Sequence, residues 1–450
     1  MLARLQTGNS PKFIHMGDNL IMFDLETKCV QSGYTPKNGE SRVVPLVQST
    51  TYVYDTPEEM GELFDLKKTG FFYARLGSPT VDALEKKIAE LDGGVGAMCT
   101  ASGMSATALT VLNLCHAGDN IISTSTIYGG TFNLFSTTLP KYGITTKFVS
   151  PDASAEEIAA LVDDKTKMLF CETIANPAGI VADFEKLTSV TKKFGIPLVV
   201  DNTLATPVIC RPFDFGADII VYASTKYLDG HATSLGGIIV DSGNFNFLNN
   251  PRFPDFNVPD ESYHGLVYAK DYGKLGFLVK VRGQMMRDFG AQAAPFNAFL
   301  TMLGSETLHL RMPRHSENAL ALAKMLESNE AVEWVKYGGL ESDKNYPLVK
   351  KYFTKGMASG MVTFGIKGGR EAAIKFQKAL KLFKIVTHIA DARSCVLHPA
   401  STTHRQLSDA ELVSCGISNN LIRLSVGIES KKDIVADVKR ALKASQRVKK

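Results

Sequence analysis

The sequence has no CxxC pair, no long apolar run and no large excess of charge of either sign. Its 450 residues contain 50 Lys and Arg against 46 Asp and Glu, a formal net charge of +4 that is scattered along the chain. Nucleic acid is therefore not an expected partner, because that function needs a clustered basic surface. No apolar run is long enough to span a membrane, and the first residues, MLARLQTGNSPKF, lack the apolar segment of a secretion signal. We expect a soluble cytoplasmic protein that binds neither nucleic acid nor membrane.

The seven cysteines do not form a disulfide framework. None belongs to a CxxC pair, and several lie within apolar runs such as MLFCETI (168–174) and TPVICRP (206–212). This usage is typical of reduced, mostly structural thiols in a cytosolic protein. We expect no metal site. The cysteines stand at positions 29, 99, 115, 171, 210, 395 and 415.

The length and the 44% hydrophobic content predict a large core and two or three domains. The first ~75 residues are rich in Thr, Tyr, Gly and Pro with little helical period, which predicts an extended arm that leans on another surface. From Thr80 the segment VDALEKKIAELDGG predicts an amphipathic helix with a glycine stop. We place an N-terminal arm at 1–79, a central domain at 80–289 and a smaller α+β domain at 290–450.

Short apolar strands alternate with helical stretches through the central domain, which indicates a mainly parallel, helix-covered sheet. The pattern breaks near 242–282 into an insert rich in Pro and Asn, and beyond it we predict long helices, the strand GMVTFGI and a final helix KKDIVADVKRALKAS. The six predicted strands are NIISTS (120–125), TTKFVS (145–150), KMLFCET (167–173), PLVVDNT (197–203), ADIIVYAS (217–224) and GGIIVD (236–241).

Polar residues follow several of these strands: Glu172, Asp201, Ser224 with Thr225, and Lys226. In an open parallel sheet, ligands bind beyond the carboxyl ends of the strands, so one site could contain all of them. Each also has an ordinary structural explanation. Lys226, in YASTKYLDGH (222–231), could be an exposed surface lysine, and Asp201 could be the N-cap of a following helix.

Two further segments have the same ambiguity. Ser102 and Gly103 precede an apolar helix in TASGMSATALTVLNL (100–114), where free N–H groups can bind phosphate or Ser102 can be a simple cap. Tyr128 precedes two glycines in STIYGGTFN (125–133), where its ring could stack on a planar cofactor or be an ordinary core tyrosine.

Taken together, these groups favour pyridoxal phosphate (PLP) over several unrelated caps. The lysine would form a Schiff base, the carboxylate would keep the ring nitrogen protonated, and the ring would act as an electron sink. The serine, threonine and glycine positions would bind the phosphate.

The ordered motifs of the chain resemble those of the Cys/Met-metabolism family of PLP enzymes, over nearly everything after residue 25. The chain is most similar to the O-acetylhomoserine sulfhydrylase branch, on PDFNVPDESYHGLVY (254–268), AAPFNAFLTMLGSETLHLRMPRHSENA (293–319) and DARSCVLHPASTTH (391–404). The family motifs are VPLVQSTTY (44–52), FYARLGSPTVDALEKKIAELDGG (72–94), SGMSA (102–106), YGGTFN (128–133), ETIANPAG (172–179), VDNTLATP (200–207), STKYLDGH (224–231), HPASTTHRQL (398–407) and LIRLSVGIE (421–429).

The resemblance implies a type I aminotransferase-like α/β fold with a seven-stranded, mainly parallel sheet, an arm that reaches a neighbouring subunit, and a homotetramer of dimers with shared sites. It implies that Lys226 is the Schiff-base lysine, Asp201 the ring-nitrogen partner, and Tyr128 the stacking ring and a proton shuttle. The remaining implied contacts are Ser102, Gly103, Met104, Ser224 and Thr225 with the phosphate, Tyr73 and Arg75 of the neighbouring subunit with the same phosphate, Asn176 with the ring hydroxyl, and Arg423 with the substrate α-carboxylate.

Three positions depart from the family pattern. Ala223 stands where a serine is common, which puts one phosphate contact in question. Ala232 follows the Gly-His pair of STKYLDGH, and Ala390 stands where glycine is usual. Either alanine could alter the geometry of its loop.

The implied reaction is a γ-replacement in methionine biosynthesis that converts O-acetyl-L-homoserine and a sulfur donor to L-homocysteine, or to methionine, and acetate. Lys226, neutral once it is desolvated, would remove the α-proton. The alternatives are a methionine γ-lyase, a cystathionine γ-synthase or O-succinylhomoserine sulfhydrylase, and a catalytically silent cofactor-binding protein. The resemblance disfavours the lyase, because relatives often place a reactive cysteine in the YGGTF region and no cysteine occurs here between Cys115 and Cys171.

Overall fold

The protein is described by a computed structural model that covers residues 23–402, 405 and 418–446. The N-terminal 22 residues, part of the HPASTTHRQL motif, Cys415 and the tail RVKK (447–450) lie outside the described residues. The helices are Leu25–Gln31, Pro57–Phe64, Pro79–Asp92, Gly103–Leu114, Gly129–Asn133, Ala155–Ala159, Phe184–Phe194, Thr206–Ile209, Tyr268–Tyr272, Gly276–Lys280, Arg287–Phe289, Pro295–Glu306, Leu308–Glu327, Tyr346–Tyr352, Gly369–Ala379 and Lys431–Ser445.

A seven-stranded sheet forms the centre of the chain, in the order β1-β7-β6-β5-β4-β2-β3. Only β7 runs against its neighbours, so the mainly parallel sheet is confirmed. All six predicted strands are present within a few residues, and β1 was missed. The strands are β1 Gly96–Thr100, β2 Asn120–Thr124, β3 Thr145–Val149, β4 Thr166–Glu172, β5 Leu198–Asp201, β6 Ile219–Tyr222 and β7 Gly237–Asp241.

The predicted helix after residue 80 begins and ends where its sequence dictates. The Ser78 side chain accepts a hydrogen bond from the N–H of Val81 at 3.3 Å, and Pro79 occupies the first turn, where its missing N–H costs nothing. Gly93 ends the helix with φ 78°, a left-handed conformation that glycine adopts without a steric penalty. The helix buries its apolar face against the sheet.

The N-terminal segment contains more helix than its composition suggested. Leu25–Gln31 and Pro57–Phe64 are both helical, and the second begins at Thr56, whose side chain accepts the N–H of Glu59. The segment packs on the helix Pro79–Asp92, because Thr80 bonds both Pro45 and Val47. It is therefore a partly helical arm with extended connections.

A second, five-stranded sheet lies in the C-terminal part, in the order β10-β11-β12-β9-β8. The strands are β8 Val332–Lys336, β9 Met361–Ile366, β10 Lys384–Ile385, β11 Cys395–Leu397 and β12 Leu421–Ser425. The boundaries 79/80 and 289/290 stay predictions. No helix within the described ranges is long and apolar enough to cross a membrane. The six described cysteines are all buried and free.

Candidate active site

The carboxyl ends of β1, β2, β4, β5 and β6 meet at one edge of the large sheet, because these five strands run in the same direction. The polar residues predicted to form a site follow these ends. Ser102 follows β1, Tyr128 follows β2 and Lys226 follows β6, while Glu172 and Asp201 are the last residues of β4 and β5. The topology thus brings the sequence candidates to a common edge.

Glu172 and Asp201 are opposite each other in the register of β4 and β5. Glu172 accepts the N–H of Tyr128 at 2.6 Å through Oε1 and the N–H of Asn176 at 3.1 Å through Oε2. It therefore holds two loops that carry predicted cofactor contacts, although the sequence suggested no role for it beyond its place at a strand end. Asp201 accepts the N–H of Thr203 at 2.9 Å.

A cation at this edge would stabilise the charged form of the two buried carboxyl groups. Burial and the charge of Asp201 raise the pKa of Glu172 well above its ordinary value, and burial raises the pKa of Asp201. Among the described residues, no cationic side chain forms an ion pair with either. A protonated ring nitrogen would supply the missing positive charge.

Lys226 is not a surface lysine. Its Nζ lies 3.4 Å from Nδ1 of His388, and no described carboxylate is paired with it. Burial and the nearby charge of Arg423 lower the pKa of Lys226, which favours the neutral amine. A neutral amine is the form that can attack an aldehyde or accept a proton.

The helix Gly103–Leu114 points its N-terminus at the same edge. Ser102 caps it by accepting the N–H of Ser105 at 3.1 Å, which leaves the N–H groups of Gly103 and Met104 without an acceptor within the helix. A Cβ on Gly103 would lie 2.6 Å from Cβ of Ala223, so only glycine allows the helix to approach the end of β6 this closely. Free N–H groups in this arrangement fit a phosphate.

The hydroxyls beside Lys226 point toward Gly236. The Oγ1 of Thr225 donates to the carbonyl of Gly236 and accepts its N–H, both at 3.1 Å. Ser224 is buried, and its Oγ would lie 2.5 Å from a Cβ placed on Gly236. The side chain at position 223 packs on Gly103, whereas the hydroxyl of Ser224 lies toward Gly236. Ser224 therefore does not replace a serine at position 223.

Tyr128 follows β2 at this edge, and Arg423 on β12 lies near enough to interact with it electrostatically. Tyr128 is 48% exposed, so it is not a core tyrosine, and its ring covers Gly130, where a Cβ would lie 2.6 Å from Cε1. Arg423, on β12, is buried and donates to Oδ1 of Asn176 at 3.2 Å. No described carboxylate pairs with Arg423, and burial lowers its pKa. The guanidinium is therefore available to a carboxylate ligand.

Tyr73 and Arg75 lie together on the arm and do not join the group around Lys226 within one chain. The Arg75 guanidinium is 5.2 Å from the centre of the Tyr73 ring, and it donates to the carbonyl of Arg287. Their predicted role in a neighbouring subunit stays a prediction.

His388 and Cys395 were missed by the sequence reading. Both lie near Lys226, His388 in the loop between β10 and β11 and Cys395 at the start of β11. His388 lies outside every quoted motif, and Cys395 lies within DARSCVLHPASTTH (391–404) without a role assigned to it. Only the approach of the C-terminal part of the chain to the end of β6 brings both near Lys226.

The residues present fit PLP and an amino-acid substrate by charge. Asp201 with Glu172 lacks a cation, the helix at Gly103 lacks an anion, and Arg423 lacks a carboxylate, each among the residues that the structure describes. A ring nitrogen, a phosphate and an α-carboxylate would supply these three groups in turn.

Comparison with known proteins identifies the family of this chain. The chain matches the family model described as Cys/Met metabolism PLP-dependent enzyme over residues 26–443. It is 45% identical over 430 residues to an O-acetyl-L-homoserine sulfhydrylase of Leptospira meyeri, which covers 94% of this chain and 97% of that protein. It is also 45% identical over 423 residues to a homocysteine synthase of Schizosaccharomyces pombe, covering 93% and 98%.

A solved structure from Campylobacter jejuni has the same fold. It is described as a candidate O-acetylhomoserine (thiol)-lyase with N'-pyridoxyl-lysine-5'-monophosphate, and it superposes with a TM-score of 0.90 at 38% identity, covering 94% of this chain and 100% of that one. The predicted fold class is thereby confirmed. The chain belongs to the Cys/Met-metabolism family of PLP-dependent enzymes.

Proposed function

We propose that this enzyme replaces the acetoxy group at Cγ of O-acetyl-L-homoserine with sulfur. With sulfide the products are L-homocysteine and acetate, and with methanethiol they are methionine and acetate. The observation that carries the proposal is the 45% identity, over 94% of this chain, to a protein named for this sulfhydrylase activity. The charge pattern of the site supports it, because Arg423 is placed to bind an amino-acid carboxylate.

The proposed cofactor contacts follow the sequence prediction. Lys226 would hold PLP covalently, Asp201 would pair with its ring nitrogen, and Tyr128 would cover its ring. Asn176 would contact the ring hydroxyl. The phosphate would be bound by Ser102, Gly103, Met104 and Thr225, together with Tyr73 and Arg75 of a second copy of the chain. Ser224 is not included, because its hydroxyl lies toward Gly236.

The reaction needs proton transfers that these residues can make. When bound, PLP supplies an electron sink for negative charge at the substrate Cα. Lys226, with its lowered pKa, accepts the proton from Cα at Nζ, and Arg423 fixes the carboxylate so that this C–H bond faces the lysine. Tyr128 is half-exposed at the same edge, and its hydroxyl can deliver or accept a second proton.

We also propose the three segments 1–79, 80–289 and 290–450 as arm, cofactor domain and C-terminal domain, and a homotetramer built from dimers in the cytoplasm. The arm exposes apolar side chains in a single copy of the chain, among them Val53 (97% exposed) and Phe64 (56% exposed). Exposed apolar residues on an extended segment fit a surface that another subunit covers.

An assay matrix tests the function. Purified enzyme is mixed with O-acetyl- or O-succinyl-homoserine and with sulfide, methanethiol or cysteine, and the products are identified by mass. We expect homocysteine from the acetyl ester with sulfide, and no product from Lys226→Ala. Methionine converted to 2-oxobutyrate and methanethiol at a higher rate would instead identify a γ-lyase. An absorbance spectrum of bound PLP without product from any ester would contradict the proposal that the chain is an active enzyme.

A further inference from the structure

We propose that Asn202 is a positioning residue, which holds Asp201 at the place where the ring nitrogen of PLP binds. The inference rests on the pairing of Asp201 with that nitrogen, which is part of the proposed function. Asn202 lies in the motif VDNTLATP (200–207) with no role assigned to it. Its contacts lie behind the site, on the other face of the large sheet.

Thr173, Asn202, Tyr222 and Asp92 form a buried row of hydrogen-bonded side chains across the ends of β4, β5 and β6. Oγ1 of Thr173 donates to Oδ1 of Asn202 at 2.7 Å. Nδ2 of Asn202 donates to the hydroxyl of Tyr222 at 2.9 Å, and that hydroxyl donates to Oδ1 of Asp92 at 2.7 Å. All four residues are buried, so water does not compete for these bonds.

The buried row joins β4 and β5 directly behind the two carboxyl groups of the site. Thr173 follows Glu172 at the end of β4, and Asn202 follows Asp201 at the end of β5. Successive side chains of a strand point to opposite faces. The buried row therefore lies on the face covered by the helix Pro79–Asp92, and the two carboxyl groups point to the other face.

The neighbours of Asn202 fix the orientation of its amide. The carbonyl of Cys210 can only accept, and it takes a second hydrogen bond from Nδ2 at 2.9 Å. The hydroxyl of Tyr222 gives its proton to Asp92, so it faces Nδ2 with a lone pair. Oδ1 is left for Thr173. Both N–H groups and the oxygen of the amide thus have partners, and a fully bonded buried side chain is held rigidly.

The bond between Thr173 and Asn202 opposes a repulsion on the other face. Glu172 and Asp201 are opposite each other in the register, and two neighbouring carboxyl groups repel each other when both are charged. The N–H of Thr173 also donates to the carbonyl of Asp201 at 3.0 Å. A side-chain bond and a main-chain bond therefore keep the strand ends together, and Asp201 stays in place for a ligand that favours its charged form.

The test compares two threonines at the two ends of β4. Thr173→Val removes the hydroxyl that binds Asn202 and keeps the shape of the side chain, whereas Thr173→Ser keeps the hydroxyl. Thr166→Val is the matched control, because Thr166 is also buried and its Oγ1 donates to Oδ1 of Asn120 at 2.8 Å, at the end of β4 away from the site. Urea unfolding should show that both valine variants fold and that each is less stable than wild type.

Two measurements on the PLP-loaded protein without substrate report the position of Asp201. The Kd of PLP in a fluorescence titration should rise on the order of tenfold in Thr173→Val, about the value of one hydrogen bond to a charged group. It should stay at the wild-type level in Thr173→Ser and Thr166→Val. Nitrogen NMR of PLP with an isotope-labelled ring nitrogen should show a protonated nitrogen in wild type and in these two variants. In Thr173→Val the nitrogen should be partly unprotonated.

Asp201→Asn is the reference for the pairing itself. Its ring nitrogen should be unprotonated, because a neutral amide does not favour the charged form of the ring. A protonated nitrogen in Asp201→Asn would refute the pairing, and the role of Asn202 with it, whether or not homocysteine is formed. An unprotonated nitrogen there, together with a wild-type nitrogen signal and wild-type PLP affinity in Thr173→Val, would overturn the role of Asn202 alone.

The control variant guards against a general effect of lost stability. An equal loss of PLP affinity in Thr166→Val would overturn the role of Asn202, because any lost buried bond in β4 would then be sufficient. If Thr173→Val does not fold, Tyr222→Phe decides the point by the same nitrogen signal. It removes the hydroxyl on the other side of Asn202 and keeps the ring, and an unchanged signal would contradict the inference.

Discussion

Asp201 is the residue whose removal should have opposite effects with and without the cofactor. Asp201 lies opposite Glu172 in the strand register, its carboxyl group forms no ion pair with a described cation, and burial raises its pKa. A raised folded-state pKa means that the folded protein loses stability as pH rises from the ordinary carboxyl value toward the folded one. Asp201→Asn should therefore stabilise the cofactor-free protein at pH 8 by roughly 1 to 3 kcal/mol, and the gain should vanish near pH 4.

Urea unfolding of the cofactor-free protein at both pH values measures this gain in stability. In the PLP-loaded enzyme the same substitution should be harmful, with kcat lowered on the order of 100-fold. Asp218→Asn is the matched control. Asp218 accepts the N–H of Leu198 at the opposite end of β5, and burial raises its pKa to about 6. Its replacement should change stability but leave PLP binding unaltered. Equal effects of the two substitutions on kcat would argue against a cofactor role for Asp201.

Ala232 and Ala390 show what the departures from the family pattern cost. Both alanines adopt left-handed backbone, with φ 58° and 65°, the region where glycine has no penalty. The loops retain a left-handed conformation at these two positions, and the alanine backbone is strained there. Ala390→Gly should raise the free energy of unfolding by roughly 0.5 to 1 kcal/mol, measured by urea unfolding. Ala436→Gly, in the exposed face of the helix Lys431–Ser445, should lower it by about 1 kcal/mol, and a loss at both positions would refute the strain.

At the scale of elements, the contact between the helix Gly103–Leu114 and the end of β6 sets the phosphate site. Gly103→Ala would place a Cβ 2.6 Å from Cβ of Ala223, so the helix must move. We expect the free energy of unfolding to fall by about 1–3 kcal/mol, as for other overpacked contacts. PLP binding should be weaker in a fluorescence titration.

Gly61→Ala serves as the control for this change, because Gly61 lies in the helix Pro57–Phe64 with no heavy atom within 4 Å of an added Cβ. It should stabilise that helix by up to about 1 kcal/mol without altering PLP binding. PLP binding of wild-type strength in Gly103→Ala would show that the close approach is not needed for the phosphate.

The sequence predicted elements well where one physical signal dominates. Six strands were recognised because β-branched apolar runs have few other uses, and the ends of two of those strands led to Lys226 and Asp201. β1 was missed because its sequence, GAMCT, consists mostly of small residues with no β-branched run. The helix Leu25–Gln31 was missed because the composition around it resembles a loop.

The site residues that the sequence did not assign depend on long-range folding. His388 is 162 residues from Lys226 and lies outside every quoted motif, so no local pattern could pair them. The role of Glu172 is similar, because its two hydrogen bonds reach the loops at Tyr128 and Asn176. Local sequence identifies groups at the ends of strands, and only the tertiary fold selects their partners.

At the scale of the whole molecule, the position of the arm tests whether two subunits share an active site. Tyr73 and Arg75 contact each other and Arg287, so within one chain they do not lie with Lys226. If they complete the site of a neighbouring subunit, two inactive variants should restore each other. Lys226→Ala and Arg75→Ala, each inactive alone, would form mixed dimers in which one site has both native residues.

Co-expression of the two variants in equal amounts should therefore give about a quarter of wild-type activity, because half of randomly formed dimers are mixed and one site of each is native. The measurement is homocysteine formed per mole of protein, with the dimer fraction checked by native mass spectrometry. Co-expression of Lys226→Ala with Asp201→Asn is the control, since both residues belong to the same chain's site, and its mixed dimers should recover nothing above the residual activity of Asp201→Asn. Mixed dimers of Lys226→Ala and Arg75→Ala without recovered activity would place Arg75 in the site of its own chain or outside any site.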